Sequence, residues 1–382
     1  MMRAWIFNIG DEITAGRVVN TNASFLAGEL DRAGITVEKI IAVADDEPAI
    51  IAEIKAFLAS GSALLVTTGG LGATDDDITR RAVAAALNKK LASGASADLF
   101  PEGASPIENR YGSADGFLIS HEGKTIISLV GPPYEMRPMF KDVFARLYSG
   151  AKKKEDVREF TVIGGTEAYF DKILRPLRAE FPGVSLNSYC SVGKIRYVLK
   201  GAGDEFAKFV ERFAGLLSEN IIGVGDISIE EAVVSRLKER KYKVSFAESC
   251  TGGLLAAKIV SVPGASSILG ESFVVYSNEA KMKYLGVKSE TLAAHGAVSE
   301  ETVREMVDGL ERIGAGDALV SASGIAGPEG GSREKPVGLV YCAVKIGGVT
   351  RVGKRVFKGD RNLIRERAAC WVLGKLWTYL KG

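Results

Sequence analysis

The sequence predicts an α/β protein with two α/β domains joined by a small α+β module. Three observations carry this. Strand-like segments alternate with amphipathic helical segments at both ends of the chain. A charged, linker-like stretch, AKKKEDVREF, interrupts the alternation at residue 151. The 382 residues, 46% hydrophobic and 25% charged, are enough for two to three domains and exclude a disordered or collagen-like chain. The expected boundaries are 1–150, 151–225 and 226–382.

The first domain opens with AWIFNIG, a strand, and ASFLAGELDRAG, a helix closed by Gly34. ITVEKIIAV follows as a strand, AIIAEIKAFLAS as a helix and ALLVTTGG as a short buried strand. Such alternation predicts a parallel sheet covered on both faces, whose ligands bind at the carboxyl ends of the strands. The module at 151–225 reads as a strand EFTVIGG, a helix AYFDKILRPLRAEF, two strands SLNSYC and KIRYVLKG, and a helix EFAKFVERFAGLLSE. The last domain begins with the helix SIEEAVVSRLKER and the strand KVSFAES. It continues CTGGLLAAKIVSV (helix), SFVVYSN (strand), SEETVREMVDGLERIG (helix) and ALVSASG (strand). GLVYCAVKIG and VTRVGKRVFKG are two further strands, and NLIRERAACWVLGKLWTYL is the final helix.

Lys and Arg number 49 against 47 Asp and Glu. That balance excludes a dedicated nucleic-acid or polybasic membrane protein. No apolar run reaches the ~18 residues of a membrane span, and MMRAWIFNIG reads as the start of a mature protein. Cys190, Cys250, Cys342 and Cys370 form no CxxC pair, so a reducing, cytoplasmic setting is expected. His121 and His295 are the only histidines, which excludes a His-rich metal site.

Four motifs could carry chemistry. Gly69, Gly70 and Gly72 follow a buried strand and precede Thr74, Asp75, Asp76 and Asp77. Glycines there let backbone N–H groups approach an anion, and three carboxylates could hold a divalent cation for a pyrophosphate substrate. The same string also reads as a glycine turn before acidic capping residues. In KVSFAESCTGG, Ser249 sits at a strand-to-helix turn, where an exposed hydroxyl can act as a nucleophile; an N-cap serine is the commoner use of that position. Cys250 ranks below it, because a thiol needs a partner that lowers its pKa and no histidine sits nearby in sequence. Lys281, in YSNEAK, could lose its proton if desolvated, against the ordinary reading of a solvated helix lysine. The loop SGIAGPEGG, from Ser323, reads as a ligand cradle or as a flexible connector.

AESCTGG, VVYSNEAK, HGAVSEE, SGIAGPEGG, KPVG and KGDR occur in order across 226–382 and together strongly resemble the C-terminal domain of the CinA (competence/damage-inducible) family. Residues 1–150 resemble that family's N-terminal, molybdopterin-binding-like domain through GDEITAGRVVNTN, TTGGLGATDDDITR and LVGPPYEMRPMF. Residues 151–225 resemble its KH-like module.

The resemblance implies nicotinamide mononucleotide deamidation by a Ser249 nucleophile with a Lys281 base, supported by Tyr276 and Arg361. It implies substrate contacts from Thr251, Gly252, Ser323, Gly324 and Gly327, with Ser323 standing where many members carry threonine. In the N-terminal domain it implies nucleotide binding by Asn20, Asn22, Gly69, Gly70, Gly72 and Thr74. There a divalent metal on Asp75, Asp76 and Asp77 could serve an ADP-ribose pyrophosphatase; the deamidase needs no cofactor.

One departure stands out: after Leu87 most members carry a longer helical insert, whereas LNKKLASGASADLFPEGA runs straight on here. The expected consequence is ADP-ribose binding with weak or absent cleavage. Residues 151–225 hold twelve Lys/Arg and ten Asp/Glu and lack a GxxG spacing, so a spacer is expected rather than an RNA clamp. The expected partners are small-molecule nucleotides and a second copy of the chain, as a homodimer; neither membrane nor nucleic acid is expected. Two alternatives stand beside the deamidase: the pyrophosphatase as main activity, and a non-catalytic nucleotide- or pterin-binding scaffold.

Overall fold

The computed structural model describes residues 2–72, 78–93, 99–148 and 156–381. The chain divides into two compact units, Met1–Glu155 and Asp156–Gly382.

The first unit runs β1 (Arg3–Ile9), α1 (Asp11–Thr14), α2 (Thr21–Arg32), β2 (Thr36–Val43), α3 (Glu47–Ala59), β3 (Leu64–Thr68) and α4 (Thr79–Ala86). It continues β4 (Leu91–Ser93), β5 (Leu99–Pro101), β6 (Ser105–Ile107), β7 (Gly116–His121), β8 (Lys124–Leu129) and α5 (Pro133–Tyr148). Six strands form one sheet in the order β2-β1-β3-β8-β7-β6. Every residue of β3 is buried, its two threonines included, as a central parallel strand covered on both faces requires. Asn20 caps α2 by accepting from the Ala23 amide, and Asp46 caps α3 by accepting from the Ala49 amide.

The sheet is not wholly parallel, as the alternation had predicted. β2, β1, β3 and β8 pair in parallel, but β7 runs antiparallel to β8 and β6 to β7. The cause is local. Glu122 and Gly123 both have positive φ (47° and 78°), the two-residue hairpin geometry that returns the chain beside itself without a crossover helix. After α4, where the family insert would stand, the chain enters the short β4–β5 ribbon.

The second unit contains β9 (Asp156–Val162), α6 (Glu167–Glu180), β10 (Ser185–Ser191), β11 (Lys194–Gly201), α7 (Gly203–Leu216) and β12 (Ile221–Val224). These strands make a four-stranded sheet, β10-β11-β9-β12, over a phenylalanine-rich core that includes Phe170, Phe209 and Phe213.

Then come α8 (Ile229–Arg240), β13 (Val244–Glu248), α9 (Leu254–Val260), β14 (Leu269–Val274), α10 (Asn278–Leu285), α11 (Ser289–His295) and α12 (Glu300–Arg312). The unit closes with β15 (Ala318–Gly324), β16 (Leu339–Ile346), β17 (Val349–Val356) and α13 (Arg361–Tyr379). Their sheet has the order β14-β13-β15-β16-β17, with β13 parallel to both neighbours and β16 and β17 antiparallel. α8 starts at a full capping box between Ser228 and Glu231. No helix among the described residues is long and apolar enough to cross a membrane.

Candidate active site

The chain leaves β13 for β14 on one side and returns for β15 on the other, so β13 and β15 border the point where strand order reverses. Ligands of such sheets bind there, beyond the carboxyl ends of the strands. Ser249 is the first residue past β13. Its amide donates to the Ala322 carbonyl of β15 at 2.9 Å, which pins the turn. The side chain is not exposed, as the sequence suggested, but buried, with 7% of its surface accessible.

Lys281 lies one turn into α10, whose N-cap Ser277 accepts from the Ala280 amide. Side chains on a helix lean toward its N-terminus, so Lys281 reaches back across the start of α10. Its Nζ lies 3.1 Å from Ser249 Oγ, 2.9 Å from the Val275 carbonyl oxygen and 3.0 Å from that of Tyr276. The residue is fully buried, contrary to the solvated reading. Burial pulls the amine below the ordinary lysine range, while Cys250 and Glu279 pull the other way. Burial pushes the neighbouring Cys250 thiol up to about 12, so it stays protonated and is a poor nucleophile.

Tyr276 is exposed beside this pair. Arg361, at the start of α13, donates to the Tyr276 hydroxyl at 2.9 Å and to the Gly327 carbonyl at 2.7 Å. It thereby ties the loop after β14 to the loop after β15. Thr251 is fully buried and its Oγ1 has no hydrogen-bond partner among the described residues. Gly252, at φ +61°, supplies the left-handed turn that leads to α9. Ser323 Oγ donates to the Ala297 carbonyl at 2.7 Å, so its hydroxyl is engaged in holding the loop before α12. Gly324 is required by packing: a Cβ there would lie 2.7 Å from the Leu339 carbonyl oxygen and 3.1 Å from Cys250 Sγ.

Two contributors were not singled out from the sequence. The buried Glu248 carboxylate accepts from the Leu255 and Ala256 amides, each at 3.0 Å, and so anchors α9 behind Ser249. Arg365 donates to the Thr251 carbonyl at 2.9 Å. The available signal for Arg365 was its place one helical turn after Arg361, on the same face.

The first unit has its own cavity, of about 620 Å³, beyond the ends of β1, β3 and β8. Asn20, Asn22, Gly69, Gly70 and Gly72 all line it. Gly69 is constrained twice over, with φ at +101° and a would-be Cβ only 2.1 Å from the Ile9 carbonyl oxygen. Its amide donates to the Leu129 carbonyl at 3.0 Å, so that donor is not available to an anion. Asn22 Nδ2 donates to the Gly131 carbonyl at 2.7 Å, while its buried Oδ1 meets no donor among the described residues. Asn20 Oδ1 is engaged as the cap of α2. Thr74, Asp75, Asp76 and Asp77 lie outside the described residues. Among the described residues no group of three His, Cys, Asp or Glu side chains could hold a metal ion.

Two family models match the chain: "CinA C-terminal domain" over residues 226–380 and "Probable molybdopterin binding domain" over residues 5–148. A "CinA-like protein" of Thermotoga maritima is 38% identical over 409 aligned positions, covering 100% of this chain and 99% of its own length. Another, from Kosmotoga olearia, is 38% identical over 406 positions, with 97% of each chain covered. Both alignments are longer than the 382-residue chain, so these relatives carry additional residues somewhere along it. A competence/damage inducible protein from Agrobacterium tumefaciens, solved as a crystal structure, is 37% identical over 40% of this chain and 94% of its own, with a TM-score of 0.38. On the strength of relatives that match from end to end at more than a third identity, the chain belongs to the CinA family of competence/damage-inducible proteins.

Proposed function

We propose that the chain hydrolyses a primary carboxamide, converting nicotinamide mononucleotide and water to nicotinate mononucleotide and ammonia. The observation that supports this most is the Lys281–Ser249 pair. Two main-chain carbonyls, of Val275 and Tyr276, stand ready for the two N–H bonds of a neutral amine. Its lone pair is then left to accept the Ser249 hydroxyl proton. Ser249 Oγ attacks the carboxamide carbon, Lys281 takes the proton and passes it to the departing nitrogen, and ammonia leaves. Water then attacks the acyl-serine, Lys281 takes its proton, and nicotinate mononucleotide is released as Ser249 is regenerated. Arg361 and Tyr276 hold the substrate between their loops. The scheme needs no cofactor. A non-catalytic scaffold would have no use for a buried amine against a buried hydroxyl.

The reaction is placed in the cytoplasm, in keeping with four cysteines that are all free thiols. A homodimer is the assembly proposed. Ammonia release from nicotinamide mononucleotide by the full-length chain, with Ser249→Ala alongside, tests the reading. No release, or release that survives the substitution, overturns it.

The second role proposed is ADP-ribose binding in the first unit, with cleavage weak or absent. The roomy, glycine-rimmed cavity there favours nucleotide binding. A divalent metal on Asp75, Asp76 and Asp77 would have to supply the hydrolytic chemistry.

A further inference from the structure

The second unit holds another cavity, of about 580 Å³, lined by none of the residues assigned above. Its walls are the β9–α6 loop, the β10–β11 turn, the end of β17 with the segment after it, and one face of α13. Close packing fixes them. Gly193, at φ +79°, approaches α13 so tightly that a Cβ there would lie 2.5 Å from that of Cys370. Ile163, beside the cavity, belongs to the same core as Leu373 and Trp377.

The lining carries an excess of positive charge. Lys194, Arg355, Lys358, Arg367 and Lys375 stand against two acids, Glu167 and Glu219. The acids are engaged: Glu219 with Lys381 at 3.4 Å, and Glu167 with the Ser188 hydroxyl. Of the cations, Lys194 is paired with Asp226 at 2.6 Å, and Arg367 donates to the Lys358 carbonyl. Arg355, Lys358 and Lys375 have no carboxylate partner among the described residues. The 14-residue helix α6 also begins at this cavity, and the amides of Gly164 and Gly165 just before it donate to no acceptor among the described residues. Another wall is aromatic: Trp371, half-buried, meets the buried Phe357 edge-on with ring centroids 5.8 Å apart.

We infer that this cavity is a binding site for a phosphorylated small molecule of mononucleotide size. Uncompensated cations and a helix N-terminus together favour a phosphate group. The Trp371 face suits a flat apolar moiety such as a base. The volume falls within the ~300–1,000 Å³ of small-molecule sites, which favours a discrete ligand over a polynucleotide strand.

The test is a titration of the full-length protein with AMP, followed by tryptophan fluorescence. The chain has three tryptophans. Trp5 lies in the first unit and Trp377 is buried under the Arg236 guanidinium, so Trp371 is the reporter. A saturable change is expected, absent in Trp371→Phe. In Arg355→Gln/Lys375→Gln the midpoint should move at least about tenfold higher, since two charge-assisted contacts are lost. Ammonia release by that double variant, at saturating nicotinamide mononucleotide, should match the parent and shows that it folds. An AMP response indifferent to the double substitution overturns the site. So does no response, or a 12-nucleotide RNA that binds more tightly than AMP and is lost in the same variant.

Discussion

Arg361 and Tyr276, 85 residues apart, meet at 2.9 Å through a guanidinium–hydroxyl hydrogen bond, while the other guanidinium arm holds the Gly327 carbonyl at 2.7 Å. One side chain thus fixes the spacing of two loops that flank Ser249. Tyr276→Phe removes only the hydroxyl partner and should lower kcat/KM by about 3- to 10-fold, the worth of one exposed charge-assisted bond. Arg361→Ala removes both contacts and should cost about 100-fold. The two effects should be less than additive in the double variant, because they share one interaction. Strict additivity would show that the contact does not serve catalysis.

Ser249→Ala should leave less than a tenth of the deamidation rate, an effect of at least ~1.4 kcal/mol on the barrier. The thermal midpoint should stay close to that of the parent, because a methyl replaces a hydroxymethyl and only one oxygen atom is lost. Cys250→Ser should retain activity, since a thiol that titrates at about 12 contributes no thiolate at neutral pH. An inactive but folded Cys250→Ser chain would transfer the nucleophile to the sulfur.

The deprotonated Lys281 is the proposed base, so activity should rise with pH. Its inflection should fall below the ordinary lysine range, because burial lowers the amine. Lys281→Arg should be nearly inactive at every pH that the fold survives. The same shift has a stability sign. Between the lowered folded value and the ordinary unfolded one, the unfolded chain binds more protons, so folding stability rises with pH in that window. Below it, the penalty for the buried charge is present in full. Lys281→Met should abolish this rise in denaturant midpoint along with activity. A parent whose midpoint is flat across that window would show that the amine is not depressed.

A chain beginning at Asp156 should deamidate at the full-length rate, because every residue of the proposed site lies in the second unit. A chain beginning at residue 226 should be active but less stable. It loses Ile163 from the shared core, at a cost of about 1–3 kcal/mol for a buried aliphatic side chain. Inactivity of a folded Asp156 chain would mean that the first unit or a second copy completes the site.

In the first unit, calorimetry should register ADP-ribose binding, and release of AMP should be weak or absent with added Mg²⁺ or Mn²⁺. Gly69→Ala should abolish that binding, because its Cβ would collide with the Ile9 carbonyl and its φ is left-handed. Robust metal-dependent AMP release, eliminated by Asp77→Asn, would show that the shortened segment after Leu87 does not limit the reaction.

What the sequence determined by itself was local. Period and capping located most helices and core strands, because a buried strand such as LLVTT or a capped helix such as that after Ser228 is specified by neighbours within a few residues. Family motifs then pointed to Ser249, Lys281, Tyr276 and Arg361. Tertiary structure decided the rest. No spacing states that residues 249 and 281 stand 3.1 Å apart, that the lysine is fully buried, or that the serine is covered rather than exposed. Those facts arise where β13, β14 and β15 end side by side and α10 and α13 fold over them. The antiparallel β7 turned on two residues with positive φ, a signal too short to register as a period. The cavity against α13 draws its cations from separate segments, and only packing brings like charges that far apart in sequence to one surface.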